Sequence, residues 1–538
     1  MTASASIPSL LPGLAVLLPA LAVPGIYLFD DRPNAREAVT FLAALSLLAV
    51  TGLAAAGVLD GGRPVTDLGT LGAGVGLVLR ADPLGAFFAT LAAFLWLVTS
   101  LYSVGYMRGL DEGEQTRYFA AFAASLAATM GVAFAANLLT LFVSYELLTV
   151  ATYPLVAHAG DEAARGAARK YLAYTLGGGV AAFAGTVLVL VTVGSTTFAP
   201  GGIAALADAD PLVARSAFAC LVAGFGVKTA LLPFQSWLPS AMVAPTPVSG
   251  LLHAVAVVKS GAFGLARVVL FVFGPELTGA LGAGAALATV AALTAVLAGV
   301  VALRQTKLKR ALAYSTVSQL SYIALGLGVG HPLAAFGALL HVAAHAFMKI
   351  TLFFGAGALY VETGVQYLDG LPGIARRMPG TAAAFGVAAV GLAGLPLVAG
   401  FVSKLYLVLG SFRAGQPLLA GALLVAGFLK LLLFWPMLSA MFFGNDTGTP
   451  ATGRVVTDGG EGDAEASKGD DPRGDHPSVP PGGWERRTPR TEGSLALVLP
   501  ILVVAACAVV LGVVPSATPP WDLAAAAVRE VFGTGVIP

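Results

Sequence analysis

Lysines, histidines and one glutamate occur inside long apolar stretches of this chain, where charge is costly. The residues that share this placement are Glu146, Lys228, His253, Lys259, His341, His345, Lys349 and Lys404. An ammonium group near the centre of a bilayer costs about 2.5–3.5 kcal/mol even on lenient insertion scales, so it is retained only where a partner or a water-filled path receives it. The set therefore indicates transport of charge.

Glu146 and Lys228 form the first candidate pair. Glu146, Thr149 and Tyr153 follow helical spacing in LLTLFVSYELLTVATYP and share one helix face. Lys228 is the nearby cation expected at similar depth in this half of the chain, so we predict that the two charges pair across neighbouring helices. The alternative is a static ion pair that only fixes two helices, although ionisable groups inside a membrane are functional candidates by default.

A second polar stripe lies in LLHVAAHAFMKITLFF, where His341, His345 and Lys349 recur every four residues. Each step advances about 40° around a helix of 3.6 residues per turn, so the three share one wall. Histidine exchanges protons near neutral pH, which favours a proton relay. A metal site is the competing interpretation, since HxxxH places two imidazoles on one face, but no glutamate follows the first histidine and no third ligand is evident. A core hydrogen-bonding role for one of the two histidines stays equally open.

Helix breakers lie next to two of the lysines. Pro233 follows Lys228, and Gly394 and Pro396 precede Lys404 in GLAGLPLVAGFVSKLYL. Proline leaves a backbone carbonyl free, which a bilayer tolerates where that carbonyl meets water, a side chain or an ion. Spans four to eight and nine to thirteen form two blocks of five, and an odd number of spans gives the blocks opposite orientations. Interrupted helices at matching places in two inverted halves indicate a transport site.

Further polar residues have two interpretations each. The tenth span, AYSTVSQLSYI, carries Ser315, Ser318, Gln319 and Tyr322. These side chains either hold water or bond to a neighbouring helix. Lys430, in GFLKLLLFWP, either joins the buried lysines or extends to the membrane interface from near a helix end, and Arg267 is interpreted in the second way.

Composition sets the fold class that must position these residues. Of the 538 residues 57% are apolar and 11% charged, and apolar runs of about 20 residues recur. We therefore predict an all-α, polytopic membrane protein of about fourteen transmembrane helices, with helices 7 and 12 broken. The first apolar segment, residues 7–29, is expected to be retained, because no basic region precedes it. The two cysteines lie in apolar runs and indicate neither a disulfide framework nor a Cys-based metal site.

The predicted organisation has five units. They are residues 1–115 with helices 1–3, 116–275 with helices 4–8, 276–443 with helices 9–13, 444–492 as a disordered cytoplasmic loop, and 493–538 with helix 14 and an amphipathic tail. The loop is rich in Gly, Pro and charge and lacks apolar periodicity, so it cannot bury enough surface to order itself. Residues 60–84 are expected to form a short extracytoplasmic hairpin, and the tail at 521–532 to lie on a surface.

Basic residues predict the orientation. Outside the long loop and the C-terminal tail, connections after odd-numbered spans hold thirteen lysines and arginines, whereas those after even-numbered spans hold only Arg63, Arg80, Arg215 and Arg413. By the positive-inside rule the odd exits are cytoplasmic, so both termini are extracytoplasmic.

Several segments together resemble a known family. SYELL with Glu146, the run GFGVKTALLPFQSWLPSAMVAPTPVSGLLHAVAVVKSG, and the segments LKRALAYSTVSQLSYI, HVAAHAFMKITLFF and AGFVSKLYL are similar to the antiporter-like subunits shared by respiratory complex I and the Mrp multisubunit cation/proton antiporters. The likeness extends over about residues 84–443. A lysine at the position of Lys404 resembles the D-type subunit of Mrp antiporters and two of the three complex I homologues, which favours the D type.

The resemblance implies a role for each residue. Glu146 would pair with Lys228, the central lysine of the first half, and His253 and Lys259 would link it to the second half. There His341, His345 and Lys349 would form the relay, and Lys404 would face one exit.

The implied function is that of one member of a multisubunit Na⁺ or K⁺/proton antiporter in the cell membrane of a prokaryote, working with other hydrophobic subunits. No nucleotide fold, haem pair or iron–sulfur cysteine set is visible, and we expect no cofactor, no metal, no nucleic-acid partner and no enzymatic activity of its own. Two alternatives are a proton-pumping subunit of a complex I-like dehydrogenase or membrane-bound hydrogenase, and a membrane subunit of an inorganic-carbon uptake complex.

Overall fold

The computed structural model describes residues 6–71, 75–444, 480, 483–533 and 535. The described chain is almost entirely helical, which confirms the all-α class. Its α-helices, α1 to α19 in chain order, are Leu11–Leu28, Pro33–Leu59, Pro83–Gly109, Gln115–Phe134, Leu138–Val156, Glu162–Val193, Pro211–Thr229, Trp237–Ser240, Thr246–Ala254, Val257–Arg267, Gly274–Ala280, Ala283–Ala302, Leu308–Gly328, Pro332–Thr363, Pro379–Ala393, Ala399–Arg413, Pro417–Phe443, Leu495–Val513 and Pro519–Phe532.

Twelve helices within the described residues are long and apolar enough to cross a membrane, counting Thr246–Val272 as one. The tenth predicted span is α13, which is 21 residues long but carries more polar side chains. The twelfth is the pair α15 and α16, neither of which is long enough alone. These helices together account for the fourteen predicted spans, and the chain is a polytopic membrane protein.

The two predicted helix breaks are present. α7 ends at Thr229, after which Ala230 has a φ of 57° and regular helix resumes only at Trp237. α15 ends at Ala393 and α16 begins at Ala399, with φ of 98° at Gly394 between them. The left-handed region suits glycine and interrupts the helical ladder, which leaves terminal carbonyls without helical partners.

A third interruption has no proline or glycine at its centre. α9 ends at Ala254 and α10 begins at Val257, and a single π turn, Val268–Val272, follows α10. His253 and Lys259 therefore lie on the two sides of a break that the sequence pattern does not predict.

α14 is the centre of the second half. It packs against α13, α15, α16 and α18, and against α9 and α3 from the first half. His341, His345 and Lys349 are fully buried as a result. The relation of the two blocks by inversion stays a prediction.

A small sheet caps one end of the bundle. β1 (Ser6–Pro8), β2 (Arg63–Leu71) and β3 (Val75–Arg80) lie in that order, β1 parallel to β2 and β2 antiparallel to β3. The hairpin expected at 60–84 is thus present, and β1 adds a strand that was not expected.

The C-terminal helix α19 lies against the bundle rather than on an outer surface. It packs on α3 and α14, and its Leu523 and Val528 are buried. Its Trp521 ring lies 4.8 Å from that of Phe336. The tail is amphipathic as expected, but its apolar face is covered by protein.

Most of the segment predicted as a disordered loop, residues 445–479 and 481–482, lies outside the described residues. Its C-terminal part contacts the bundle. Glu492 is fully buried and accepts hydrogen bonds from the backbone N–H groups of Gly380 and Thr381, at 2.7 and 2.9 Å, in the first turn of α15. Trp484 donates to the carbonyl of Pro372 at 3.1 Å. A carboxylate at a helix N-terminus satisfies donors that have no helical partner.

Candidate functional site

Lys228 lies in the last turn of α7 and is fully buried. Its Nζ donates to the carbonyl oxygen of Tyr145 at 2.5 Å and lies 3.3 Å from the centroid of that tyrosine ring. The tyrosine hydroxyl donates to the carbonyl of Gly224, also on α7, at 3.0 Å. One aromatic residue of α5 thus receives the ammonium through both its backbone and its ring.

Glu146 is the next residue on α5, but the predicted direct ion pair with Lys228 is not formed. None of the ion pairs within 4 Å among the described residues joins them. The carboxylate still acts on the lysine electrostatically over a longer distance. The direct contact predicted between the two charges is therefore absent, and the helix face that Glu146 shares with Thr149 and Tyr153 stays a prediction.

The Glu146 carboxylate occupies space that a glycine provides. A Cβ placed on Gly179 of α6 would lie 2.5 Å from Oε1 of Glu146. This oxygen is buried and has no hydrogen-bond partner. A buried acceptor without a donor is costly, so the site suits a carboxyl group that takes up a proton or a water molecule.

His253 and Lys259 flank the break between α9 and α10, and both are fully buried. The two ring nitrogens of His253 and the Nζ of Lys259 have no hydrogen-bond partner. Beside Lys259 is a cavity of about 10 Å³ lined by Phe87, Phe263 and Leu339 among others. A volume of roughly 10–15 Å³ accommodates one water molecule.

His345 lies where the two halves meet. Its charge is influenced by Lys259 and His253 from the first half and by Lys349 and His341 from its own helix. Both ring nitrogens are buried without partners. It is therefore an unsatisfied donor and acceptor with ionisable groups on both sides.

His341 is hydrogen-bonded at both nitrogens, unlike His345. Nδ1 lies 2.8 Å from the hydroxyl oxygen of Ser403, and Nε2 lies 2.9 Å from Oε1 of Gln319. The ring centroids of the two histidines are 6.0 Å apart. Of the two histidines, His341 is thus the one held by side-chain hydrogen bonds, and its part in a relay stays a prediction.

One face of α13 supplies a partner to the ionisable groups of the second half. Ser315 accepts a hydrogen bond from Lys349, Ser318 accepts one from Lys430 at 2.7 Å, Gln319 contacts His341, and the Tyr322 ring lies near His341 and Lys404. Lys349 also donates to the carbonyl of Leu312 at 2.8 Å. The polar stripe of the tenth span therefore contacts neighbouring side chains directly.

Lys404 uses the second helix break. Its Nζ donates to the carbonyl oxygen of Leu392, in the last turn of α15, and lies 5.4 Å from the Tyr322 ring centroid. The last carbonyls of a helix have no partner inside it and carry partial negative charge, which attracts an ammonium. The break at Gly394 therefore creates the acceptor that holds this lysine.

Lys430 and Arg267 do not extend to the membrane interface, and for both that interpretation is wrong. Lys430 is fully buried near the middle of α17. Arg267 is also fully buried and forms two hydrogen bonds, of 2.6 and 2.8 Å, with Asp82. Three phenylalanine rings lie within 4.9–5.0 Å of its guanidinium carbon.

Asp82 was missed by sequence reasoning. It caps the N-terminus of α3 by accepting from the backbone of Gly85 at 2.8 Å. An aspartate directly before a proline and an apolar run is a helix-start signal that could have marked it. Together with Arg267 it fixes α3 to α10, away from the groups that surround His345.

A metal site at HxxxH gains no support from the geometry. Within residues 6–71, 75–444 and 483–533, no cluster of three or more His, Cys, Asp or Glu side chains could hold a metal ion. The nitrogen atoms of His341 are engaged by serine and glutamine instead.

Comparison with known proteins places the sequence in a family. Residues 135–430 match the family described as NADH:quinone oxidoreductase/Mrp antiporter, TM. The NADH-quinone oxidoreductase subunit N of Desulforudis audaxviator is 35% identical over 441 residues, which are 81% of this chain and 82% of that protein. A probable K(+)/H(+) antiporter protein of Rhizobium meliloti is 37% identical over 336 residues, 62% of this chain and 32% of that much longer protein.

Two solved structures share the fold over 98% of the chain. One is from the membrane-bound sulfane sulfur reductase, described as an archaeal respiratory membrane complex, and the other from the Mrp complex of Dietzia sp.. Each has a TM-score of 0.80 at 22% identity, and the match covers 100% and 98% of those chains. At this identity the likeness concerns the fold alone.

Proposed function

Because the chain belongs to the NADH:quinone oxidoreductase/Mrp antiporter transmembrane family, we propose that it carries protons across the membrane as one subunit of a monovalent cation/proton antiporter. The observation that carries the proposal is the succession of buried ionisable groups that runs through both halves of the bundle. Lys228, Lys259, His253, His345, Lys349 and His341 are fully buried, and the series also includes Glu146 and Lys404, which are partly buried.

The chemistry of this succession suits proton transfer. A group that only stabilises the fold is expected to have its donors and acceptors satisfied. Here Glu146, His253, Lys259 and His345 each have a buried polar atom with no protein partner, which matches groups that bond to transient water. Arg267 differs from them in forming a direct ion pair with Asp82 and in staying protonated, although its Nε also has no hydrogen-bond partner.

The proposed path has three stages. A proton held near Glu146 and Lys228 passes to Lys259 beside the helix break, and from there through water to His253 and His345. His345 exchanges with Lys349 and His341 on the same helix. His341 is joined through Ser403 to α16, which carries Lys404 at the second break. Each transfer changes the charge next to the following group, which couples the steps.

We further propose that both termini are extracytoplasmic and that the subunit is of the Mrp D type. The excess of basic residues in the connections after odd-numbered spans supports the orientation. The lysine at position 404 supports the assignment to the D type. Specificity for Na⁺ or K⁺ is a matter for measurement.

A second candidate function is proton pumping driven by electron transfer in a partner subunit. It is favoured by the similarity to subunit N of the NADH-quinone oxidoreductase of Desulforudis audaxviator, which extends over 81% of this chain. The proton path would be the same, and the energy source would differ.

The two functions separate in one experiment. The tagged full chain is purified with its partners, reconstituted into vesicles with an internal pH indicator, and exposed to steps of Na⁺ or K⁺. Proton movement that follows the cation step supports the antiporter, and movement only after an electron donor and quinone are added supports the redox-driven subunit. Lys259→Met should abolish either signal, whereas Lys307→Met, at an exposed lysine, should leave it intact. Proton movement unaffected by Lys259→Met would contradict the path.

A further inference from the structure

We propose that Lys430 gains and loses a proton during each transport cycle, and that its charge determines when Lys349 and Lys404 release theirs. This inference rests on the proposed function and adds a positioning residue that lies beside the path rather than on it. Four observations carry it: the burial of Lys430, the kind of partner it has, the space around its ammonium, and the charges that surround it.

Lys430 lies in a closely packed site. It lies near the middle of α17, which packs against α12, α13, α15 and α16, and none of its surface is exposed. A Cβ built on Gly299 of α12 would lie 3.3 Å from its Nζ. The glycine thus leaves room for the ammonium and for little else.

The Lys430 ammonium donates a hydrogen bond to a hydroxyl group, which can act as either donor or acceptor. Nζ lies 2.7 Å from the hydroxyl oxygen of Ser318, which in turn donates to the carbonyl of Ala295 at 2.6 Å. A hydroxyl can accept from an ammonium or donate to a neutral amine, whereas a carbonyl can only accept. Ser318 can therefore serve Lys430 in both protonation states by rotating its hydroxyl.

The surrounding charges are all of one sign. α12 and α15 contain no titratable residue, and α17 contains none besides Lys430. From α13 the nearby titratable group is Tyr322, whose hydroxyl is bonded to the carbonyl of Leu423 at 3.0 Å. Lys349 and Lys430 are bonded to Ser315 and Ser318 of α13, and Lys404 lies 5.4 Å from the ring centroid of Tyr322 on the same helix. The three ammonium groups are therefore arranged along one face of α13.

No carboxylate balances this group of three lysines. Among the described residues, no ion pair within 4 Å includes Lys349, Lys404 or Lys430. Like charges in a poorly solvated region disfavour one another strongly. A proton arriving on Lys430 therefore favours proton release from Lys349 and Lys404, and a proton leaving it allows them to refill.

Two replacements of matched length test this switching. Lys430→Met removes the charge and Lys430→Arg fixes it, since arginine stays protonated. Proton transport by the reconstituted complex is measured from about pH 6 to about pH 10, the range over which a buried lysine titrates. We expect the alkaline limit of transport to move up by about one pH unit in the methionine variant and down by about one in the arginine variant, the size typical of one nearby charge.

Arginine is larger than lysine and Gly299 is close, so the Lys430→Arg variant could fail to assemble. A second pair of variants, at Ser318 and Ser321, tests the inference without it. Ser318→Ala removes the reversible partner and leaves the lysine, and it should slow transport about 3–10-fold with the protein assembled. Ser321→Ala is the control, because Ser321 lies on the same helix and donates only to the carbonyl of Val317. Equal rates in the two serine variants would overturn the inference.

The outcomes distinguish this inference from the proposed function. A wild-type complex without proton transport overturns both. With normal wild-type transport, opposite shifts of the two Lys430 variants support the inference. A shift in only one variant means that the lysine keeps one charge state throughout, and shifts in the same direction indicate a structural role; either result overturns it.

Discussion

The two halves of the bundle hold their buried lysines by different means. In the first half, Glu146 of α5 provides a negative charge near Lys228, whose ammonium is bonded to a backbone carbonyl. In the second half, helices α12 to α17 contain one carboxylate, Glu362, in the last turn of α14. There Ser315 and Ser318 of α13 serve Lys349 and Lys430.

This difference indicates two ways of making a buried lysine exchange its proton. A carboxylate favours the charged lysine through long-range attraction, so the protonation of Lys228 is expected to depend on the charge of Glu146. A hydroxyl satisfies both the charged and the neutral lysine, so Lys349 and Lys430 have a partner in either state, whereas Lys404 is bonded to a carbonyl.

Replacing Glu146 by Gln removes the negative charge on which the first half depends. Lys228 would then lose its long-range counter-charge in a poorly solvated site and tend to the neutral form, so we expect proton uptake to fall at least about tenfold while the complex still assembles. Vesicle pH measurements at matched protein levels test this. Wild-type uptake by the variant would show that the halves do not differ as described.

Replacing Lys404 by Arg tests whether the last lysine must become neutral. Arginine keeps the positive charge and a similar length but does not release its proton, so we expect about a tenfold loss of ion exchange. Lys307→Arg, at an exposed lysine, serves as the control and should be normal. Near-normal exchange by the Lys404 variant would reduce this residue to a fixed positive charge.

Replacing Ser315 by Ala separates the hydroxyl mechanism from simple burial. Lys349 would retain the carbonyl of Leu312 but lose the partner that can also donate, so we expect transport to slow about 3–10-fold, most strongly at alkaline pH where the neutral lysine is populated. The pH dependence of the initial rate is the measurement. A uniform loss at all pH values would argue for a packing defect instead.

The smallest effects are expected where the halves are alike. Each places a tyrosine ring by a lysine and ties its hydroxyl to a backbone carbonyl 3.0 Å away, Tyr145 with Gly224 and Tyr322 with Leu423. Phenylalanine at either position keeps the ring, so transport should change less than about twofold and stability should fall by about 1 kcal/mol. Thermal unfolding in detergent measures the second quantity. Loss of transport in one variant alone would reveal a further difference between the halves.

The sequence predicted the fold class, the two main helix breaks and most of the buried ionisable residues, because charge in an apolar run and proline beside lysine are local signals. For Lys430 the sequence left two interpretations open, burial and extension to the membrane interface. In the structure Lys430 lies near the middle of α17, which continues through Pro436 to Phe443. Proline inside a membrane helix is tolerated where neighbouring groups satisfy the freed carbonyl, and a linear sequence does not show those neighbours.

Contacts between distant segments were the other limit. Helical spacing predicted Glu146 as the partner of Lys228, but the actual partner, the carbonyl of Tyr145, is a backbone atom that every residue has. The break at Val255 and Ala256 lacks proline and glycine, so tertiary packing determines it. The pairing of Asp82 with Arg267 joins residues far apart in the chain and is equally invisible to local pattern.

Gly179 and Gly299 each lie against the charged end of a buried side chain, Glu146 and Lys430 respectively. The space beside these two head groups therefore depends on a glycine and not on a charged residue. Adding one methyl group at either glycine would displace an ionisable head group, or the water beside it, without altering any titratable residue. We therefore expect substitutions at these positions of α6 and α12 to change the transport rate through packing alone.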